Sequence, residues 1–289
     1  MLTSSPGSSV LEQQGPWPFI TRRVARREGQ IVSLWRSRHQ RKGLPVRRTG
    51  QILLLEVALS RCLWMPLELN WWIGVLFALG SLLFALGSWL SLQPLLAQQW
   101  RLSPEAVSRV FLLGSIPFTT AAYLQLFQAA NAPLPSGQAQ AHGQHRRWFG
   151  WKPRDPGWLS CALQFPGTLL FNLNTYNALN TGLDWFDQEL MVWAPDLLGS
   201  VLFLASGYLA FIDSCHAHWA WQPRSLSWWV TAMNLIGCVG FMLSAVLSIV
   251  LPSTVGPAWP TASLLFTLAG AMGFLIGSLL MLPEAVVPS

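Results

Sequence analysis

Apolar residues in this chain gather into six long runs, at 72–92, 107–128, 158–178, 192–212, 228–250 and 261–282, parted by shorter polar stretches. A run of about 20 such residues makes a helix long enough to cross the hydrocarbon of a bilayer. The pattern therefore predicts an all-α, polytopic membrane protein with six transmembrane helices. Residues 1–50 show no apolar periodicity and are rich in Ser, Gly, Gln and Arg, which predicts a basic, disordered tail. Residues 51–66 are apolar but interrupted by Glu56 and Arg61 and too short to span, so an interfacial helix is expected there. Ser103-Pro104-Glu105 supplies a cap, a first-turn proline and a first-turn carboxylate for the second span.

Each run carries one copy of a short pattern: a Gly-small pair, a Phe four residues after the Gly, and a second small pair seven residues after the first. The Gly and Phe positions are Gly80/Phe84, Gly114/Phe118, Gly167/Phe171, Gly199/Phe203, Gly237/Phe241 and Gly270/Phe274. Successive glycines are 34, 53, 32, 38 and 33 residues apart. Short intervals thus alternate with longer ones, which predicts three tandem helical hairpins at 67–130, 158–215 and 216–289, the last including the C-terminal tail. A basic loop, 131–157, joins the first two. In lipid no hydrophobic force drives helices together, and small residues that permit close backbone approach form the contacts. Gly80, Gly87, Gly114, Gly167, Gly199, Gly237, Gly270 and Gly277 are the expected packing positions.

Composition agrees with this layout. The chain is 52% hydrophobic and only 10% charged, well below the quarter expected of a soluble domain. With both ends of the chain inside, 16 of the 18 Lys and Arg residues fall on the inner side, leaving Arg101 and Arg109 outside. That asymmetry predicts cytoplasmic N- and C-termini. Eleven of the 18 lie in the first 61 residues, and beside six spans their natural partner is an anionic lipid headgroup rather than nucleic acid. A start at Met65 would remove this tail and leave the same bias in weaker form. Trp71, Trp72, Trp158, Trp193, Trp228, Trp229 and Trp259 sit at expected span ends, where indoles anchor. The four cysteines form no C-x-x-C pair, so neither a redox motif nor a disulfide framework is indicated.

Candidate chemistry is sparse. Gln164, Thr168, Asn172 and Thr175 form a polar stripe along the third span. Asp196 is the one carboxylate deep in a run, and Asn234 is a polar residue of the fifth. An ionisable residue within a membrane is a functional candidate by default. Two readings of Asp196 are open: a site residue, or a carboxylate stabilising a helix start behind Pro195. Asp213, Cys215, His216 and His218 match no metal-ligand spacing and read as a solvated loop, as do His142 and His145. Asp184, Asp187 and Glu189 read as an external turn. Phosphate-binding, zinc-protease and nucleophile-elbow motifs are missing from the sequence, so no catalytic activity, metal or cofactor is expected. The simplest functional expectation is a structural or interaction protein, alone or as a homo-oligomer. The alternative is a small-solute or ion transporter or channel with Asp196, Asn172 and Gln164 lining the path.

The stretches Leu79–Phe84 with Leu113–Phe118, and Leu198–Phe203 with Ile236–Phe241, resemble the YrhK-like family of small bacterial membrane proteins, built from one pair of such helices. Phe165–Asn174 and Trp228–Val246 are similar to uncharacterised bacterial multi-pass proteins. The resemblance implies helical hairpins in a bacterial inner membrane and brings no established activity.

Overall fold

A computed structural model describes residues 10–27, 30–44, 61–133, 146–249 and 258–286. Four of its helices begin at a capping side chain, Ser103, Asp155, Asp184 or Ser225. Helix α2 is Leu69–Leu92, followed by the short α3, Pro94–Gln99. Helix α4, Pro104–Asn131, starts at Ser103, whose hydroxyl accepts from the Ala106 N–H at 3.2 Å. Helix α5, Pro156–Asn177, is capped by Asp155, which accepts from Gly157 and Trp158. Trp185–Gln188 forms α6, capped by Asp184, and passes through a π-turn, Glu189–Trp193, into α7, Ala194–Cys215. Helices α8, Leu226–Leu247, and α9, Ala258–Glu284, complete the bundle.

Among the described residues, five helices are long and apolar enough to cross a membrane: Leu69–Leu92, Pro104–Asn131, Trp185–Cys215, Leu226–Leu247 and Trp259–Glu284. This is a multi-pass membrane protein. The remaining expected run, 158–178, coincides with α5, a 22-residue helix made less apolar by its polar stripe. Contacts join the six long helices into a closed ring in the order α2, α4, α5, α7, α8, α9 and back to α2. Neighbouring members run in opposite directions. Asn70 at the start of α2 accepts from Gln128 near the end of α4 at 3.0 Å.

The repeated pattern occupies the inside of this ring. A Cβ placed on Gly80 would lie 2.8 Å from the Gly114 carbonyl oxygen, one on Gly167 3.3 Å from that of Gly199, and one on Gly237 3.0 Å from that of Gly270. Three helix pairs therefore meet backbone to backbone at motif glycines: α2 with α4, α5 with α7, and α8 with α9. Gly87 makes room for the Phe111 ring, and a Cβ on Gly277 would collide with Asn234 Oδ1. All six motif phenylalanines converge between the helices. Phe171 and Phe203 have ring centroids 4.9 Å apart, Phe118 and Phe274 5.3 Å, and Phe241 stacks on Phe274 at 5.4 Å. Phe84 closes the group at 6.2 Å from Phe118 and 6.0 Å from Phe241. Edge-to-face and offset pairs at these separations are favourable beyond their burial.

The N-terminal stretch departs from expectation. Residues predicted to be a disordered tail instead form a three-stranded antiparallel sheet, β1 (Val10–Gln14), β2 (Arg22–Arg27) and β3 (Gln30–Arg36), and a short helix α1, Ser37–Lys42. Helix α1 presses its basic side chains into one end of the bundle. Arg38 makes a two-pronged pair with Glu284 at 2.8 and 3.0 Å, and Lys42 Nζ reaches the same carboxylate at 2.8 Å. Arg41 lies 2.9 Å from Asp213 and 3.9 Å from Asp155. A Cβ on Gly157 would collide with the Arg41 guanidinium, so that glycine opens its route. The composition argument failed because it counted these charges without their acidic partners, which lie 172 and 246 residues away. Most of the expected interfacial helix, and His142 and His145, lie outside the described residues.

Candidate functional site

At the end of the ring away from α1, a cavity of about 570 Å³ opens between the helices. Its floor is aromatic, formed by Phe84, Phe118, Phe171 and Phe241 of the repeated pattern. Hydroxyl groups from four helices make up much of its wall, and Asn180 and Thr181, both exposed, stand at its rim. Asp196 supplies the one carboxylate on the wall, beside Trp193 one turn earlier. Asn174 of α5 lines the same space and interacts with the Asp196 carboxyl. No Lys, Arg or His lines the cavity, and among the described residues none pairs with Asp196.

Both readings of Asp196 have a place in the structure: it lies in the first turn of α7, directly behind Pro195, where a carboxylate stabilises a helix start, and it also lines the cavity. The helical path continues back through the π-turn to a start at Trp185. That start belongs to Asp184, which accepts from the Asp187 N–H at 2.8 Å, so the acidic residues expected in an external turn begin the helix instead. Pro195 lacks the N–H that would bond the Met191 carbonyl four residues back. Asn177 at the end of α5 donates to that carbonyl at 2.7 Å. The Trp193 indole is fixed by donating to the Ala245 carbonyl at 2.9 Å.

The residues singled out from sequence separate into two groups. Thr168 and Asp196 line the cavity, joined by Asn174 and Thr175 from the same helix as Thr168. Gln164, Asn172 and Asn234 do not line it. Asn172 accepts from Thr119 Oγ1 at 3.2 Å across the α4–α5 contact. Asn234 Oδ1 faces Gly277 and finds no hydrogen-bond partner among the described residues. Sequence reasoning missed Ser244 and Ser263 on the opposite wall, where Ser244 Oγ lies 2.6 Å from Thr267 Oγ1 and 3.0 Å from Ser263 Oγ. Its signal was present: Ser115, Thr168, Thr175 and Ser244 are small residues of the repeated pattern that carry hydroxyls.

The second polar cluster holds the far end. Asp213, expected in a solvated loop, is 0% exposed and paired with Arg41. His216 bonds Thr21 at 2.9 Å, and His218 bonds Tyr208 at 2.9 Å. Burial opposes the charge on Arg41, but Asp213 beside it more than offsets this and raises its pKa. Burial, reinforced by Arg38, lowers Lys42 to about 8 despite Glu284. Lys152 donates to the last carbonyls of the α4 segment, Ala129 at 3.0 Å and Ala132 at 2.8 Å, complementing its dipole. Among the described residues, no three His, Cys, Asp or Glu side chains gather as a metal site. No protein family matches the chain, and no curated protein or solved structure does.

Proposed function

We propose that this protein takes a small polar solute into the cavity of a six-span bundle and that its role is solute binding or translocation, without a chemical step. The observation that carries this reading is the Asp196 carboxylate on the wall of a wet-sized, hydroxyl-lined space inside apolar helices. A carboxylate within a membrane is costly. Its structural alternative is the first turn of α7, behind Pro195; a cationic partner is missing among the described residues, and the open cavity it faces favours the site reading. The volume falls within the range of small-molecule sites, about 300–1,000 Å³.

Several observations support the rest of the layout. Helix α5 is capped by Asp155, beside Arg41, and brings Asn174 and Thr175 near its other end to the cavity, so it covers the same distance as its neighbours and serves as the sixth span. The backbone contacts at Gly80–Gly114, Gly167–Gly199 and Gly237–Gly270 support three tandem hairpins. The bias of Lys and Arg supports a cytoplasmic position for both termini and for α1, and the YrhK-like resemblance supports a bacterial inner membrane. The cavity then faces outward. Arg38, Arg41 and Lys42 are turned inward, so anionic headgroups are left to exposed residues such as Arg146, Arg147 and Arg154.

A Thr267→Cys variant tests the cavity directly. A small charged methanethiosulfonate added on the outer side of intact vesicles modifies this cysteine, while the four buried native cysteines stay unreacted. A cysteine that resists the reagent from both sides would mean a dry, sealed space, and the structural or interaction role would replace this reading.

A further inference from the structure

The hydrogen-bond directions on the cavity wall select among solutes. A hydroxyl has one hydrogen to donate and two lone pairs to accept with. Ser115 donates to the Leu112 carbonyl at 2.8 Å, Thr168 to Phe165 at 2.6 Å and Thr175 to Phe171 at 2.8 Å. On the other side Ser248 donates to Ala245, Ser263 to Ser244 and Thr267 to Ser263, each at 3.0 Å. Six wall hydroxyls therefore spend their hydrogens on backbone carbonyls, five within their own chain segment and Ser263 across to α8, and offer oxygen lone pairs to the cavity. Gln188 likewise spends an amide hydrogen on the Leu183 carbonyl at 3.1 Å. With the Asp196 carboxylate added, acceptors predominate on the wall beside the floor, and the remaining donors are the Asn174 and Asn180 amides and the Ser108 and Thr181 hydroxyls. An anion would meet the Asp196 charge without a cation to offset it. A neutral polar solute would leave its own acceptors unmatched, at the cost of a buried unsatisfied group.

The floor adds a second, independent selection. Phe84, Phe118, Phe171 and Phe241 border the space below, and the fixed Trp193 indole borders it beside Asp196. Aromatic faces attract cations, most strongly when water is excluded. An inorganic cation needs a close cage of oxygens, such as the six to eight at 2.3–2.6 Å that hold calcium, and a space of about 570 Å³ exceeds that need. Resting on the reading of the cavity as a solute site, we propose that its occupant is a small organic cation, a protonated amine or quaternary ammonium. Its charge is balanced by Asp196, the N–H groups of a protonated amine are received by the wall oxygens, and its body lies on the aromatic floor.

The test uses the full-length protein in detergent and measures thermal stabilisation by matched probes. Methylammonium, benzylammonium, phenethylammonium and tetramethylammonium are compared with benzyl alcohol, phenethyl alcohol, and sodium and potassium chloride. The expected result is that at least one amine stabilises the protein at a concentration tenfold or more below its matching alcohol. Asp196→Asn removes that preference while leaving the unliganded melting temperature within a few degrees. If Asp196→Asn fails to fold, the amine-over-alcohol preference in the unaltered protein decides alone. Alcohols stabilising as well as amines would overturn the cation assignment while the solute-binding reading stands. Stabilisation by sodium or potassium alone would assign the site to an inorganic ion. Failure of every probe would overturn both the cation assignment and the solute reading.

Discussion

At Gly237 a single missing methyl group decides how close two helices come. A Cβ there would lie 2.6 Å from the Phe274 ring and 3.0 Å from the Gly270 carbonyl, with backbone on one side and a packed ring on the other. Neither can yield cheaply, because the ring is held by the other motif phenylalanines. Overpacking of this kind costs about 1–3 kcal/mol. Gly237→Leu is therefore expected to lower the melting temperature in detergent clearly, whereas Leu82→Ala, at a side chain 53% exposed toward lipid, should change it little. Equal melting temperatures for the two variants would contradict the packing role of the motif glycine. Leu83 would be a poor control, since its Cβ is 3.0 Å from the position a Gly114 side chain would take.

Among the elements, the β1–β3 sheet with α1 is tied to the bundle by buried ion pairs of Arg38 and Lys42 with Glu284 and of Arg41 with Asp213. Removing one member of a buried ion pair strands the other in low dielectric, at a cost of several kcal/mol. Two histidines at this junction make the docking sensitive to acid. Burial, with Arg36 and Arg38 adding to it and Glu284 opposing, lowers His39 to about 4. Burial, with Arg36 and Arg22 adding and Asp213 opposing, lowers His216 to about 4. A free histidine titrates near 6.5. The undocked segment therefore binds more protons between about pH 6.5 and 4, and docking is full above that window and weakens as pH falls through it. Hydrogen exchange over residues 10–44 should lose protection across this window, and His39→Gln with His216→Gln should flatten the loss. Protection that stays constant down to pH 4 in the unaltered protein would contradict the assignment.

For the whole molecule, the ring of six helices has two unlike ends separated by the phenylalanine cluster. One end holds an open, acceptor-rich cavity, and the other is closed by Arg38, Arg41 and Lys42 on Glu284 and Asp213. Such an arrangement exposes a site to one side only. With six spans, a membrane-impermeant maleimide should reach Thr181→Cys and Arg147→Cys from opposite faces of oriented vesicles. Labelling of both from one face would remove α5 from the membrane-crossing set and with it the tandem hairpins.

The legible part of this structure is the part encoded locally. Apolar run length determined that the chain enters a membrane, because hydrocarbon thickness sets helix length regardless of neighbours. The repeated small residues marked the faces along which helices approach, and Ser103 marked a helix start by its own hydroxyl. Convergence of the motif phenylalanines was encoded in their shared register, yet only the closed ring brings all six together. Relations between distant segments were not legible. The fate of Arg41 depended on Asp213, and the meaning of Asp196 depended on the distant helices that enclose the cavity it faces. The direction of each wall hydrogen bond was likewise invisible, because a serine reads the same whether it donates to its own helix or to a ligand. Sequence alone determined the solvent of this protein and the packing code of its helices. Tertiary structure decided where the charges are matched and where one carboxylate is left facing an open space.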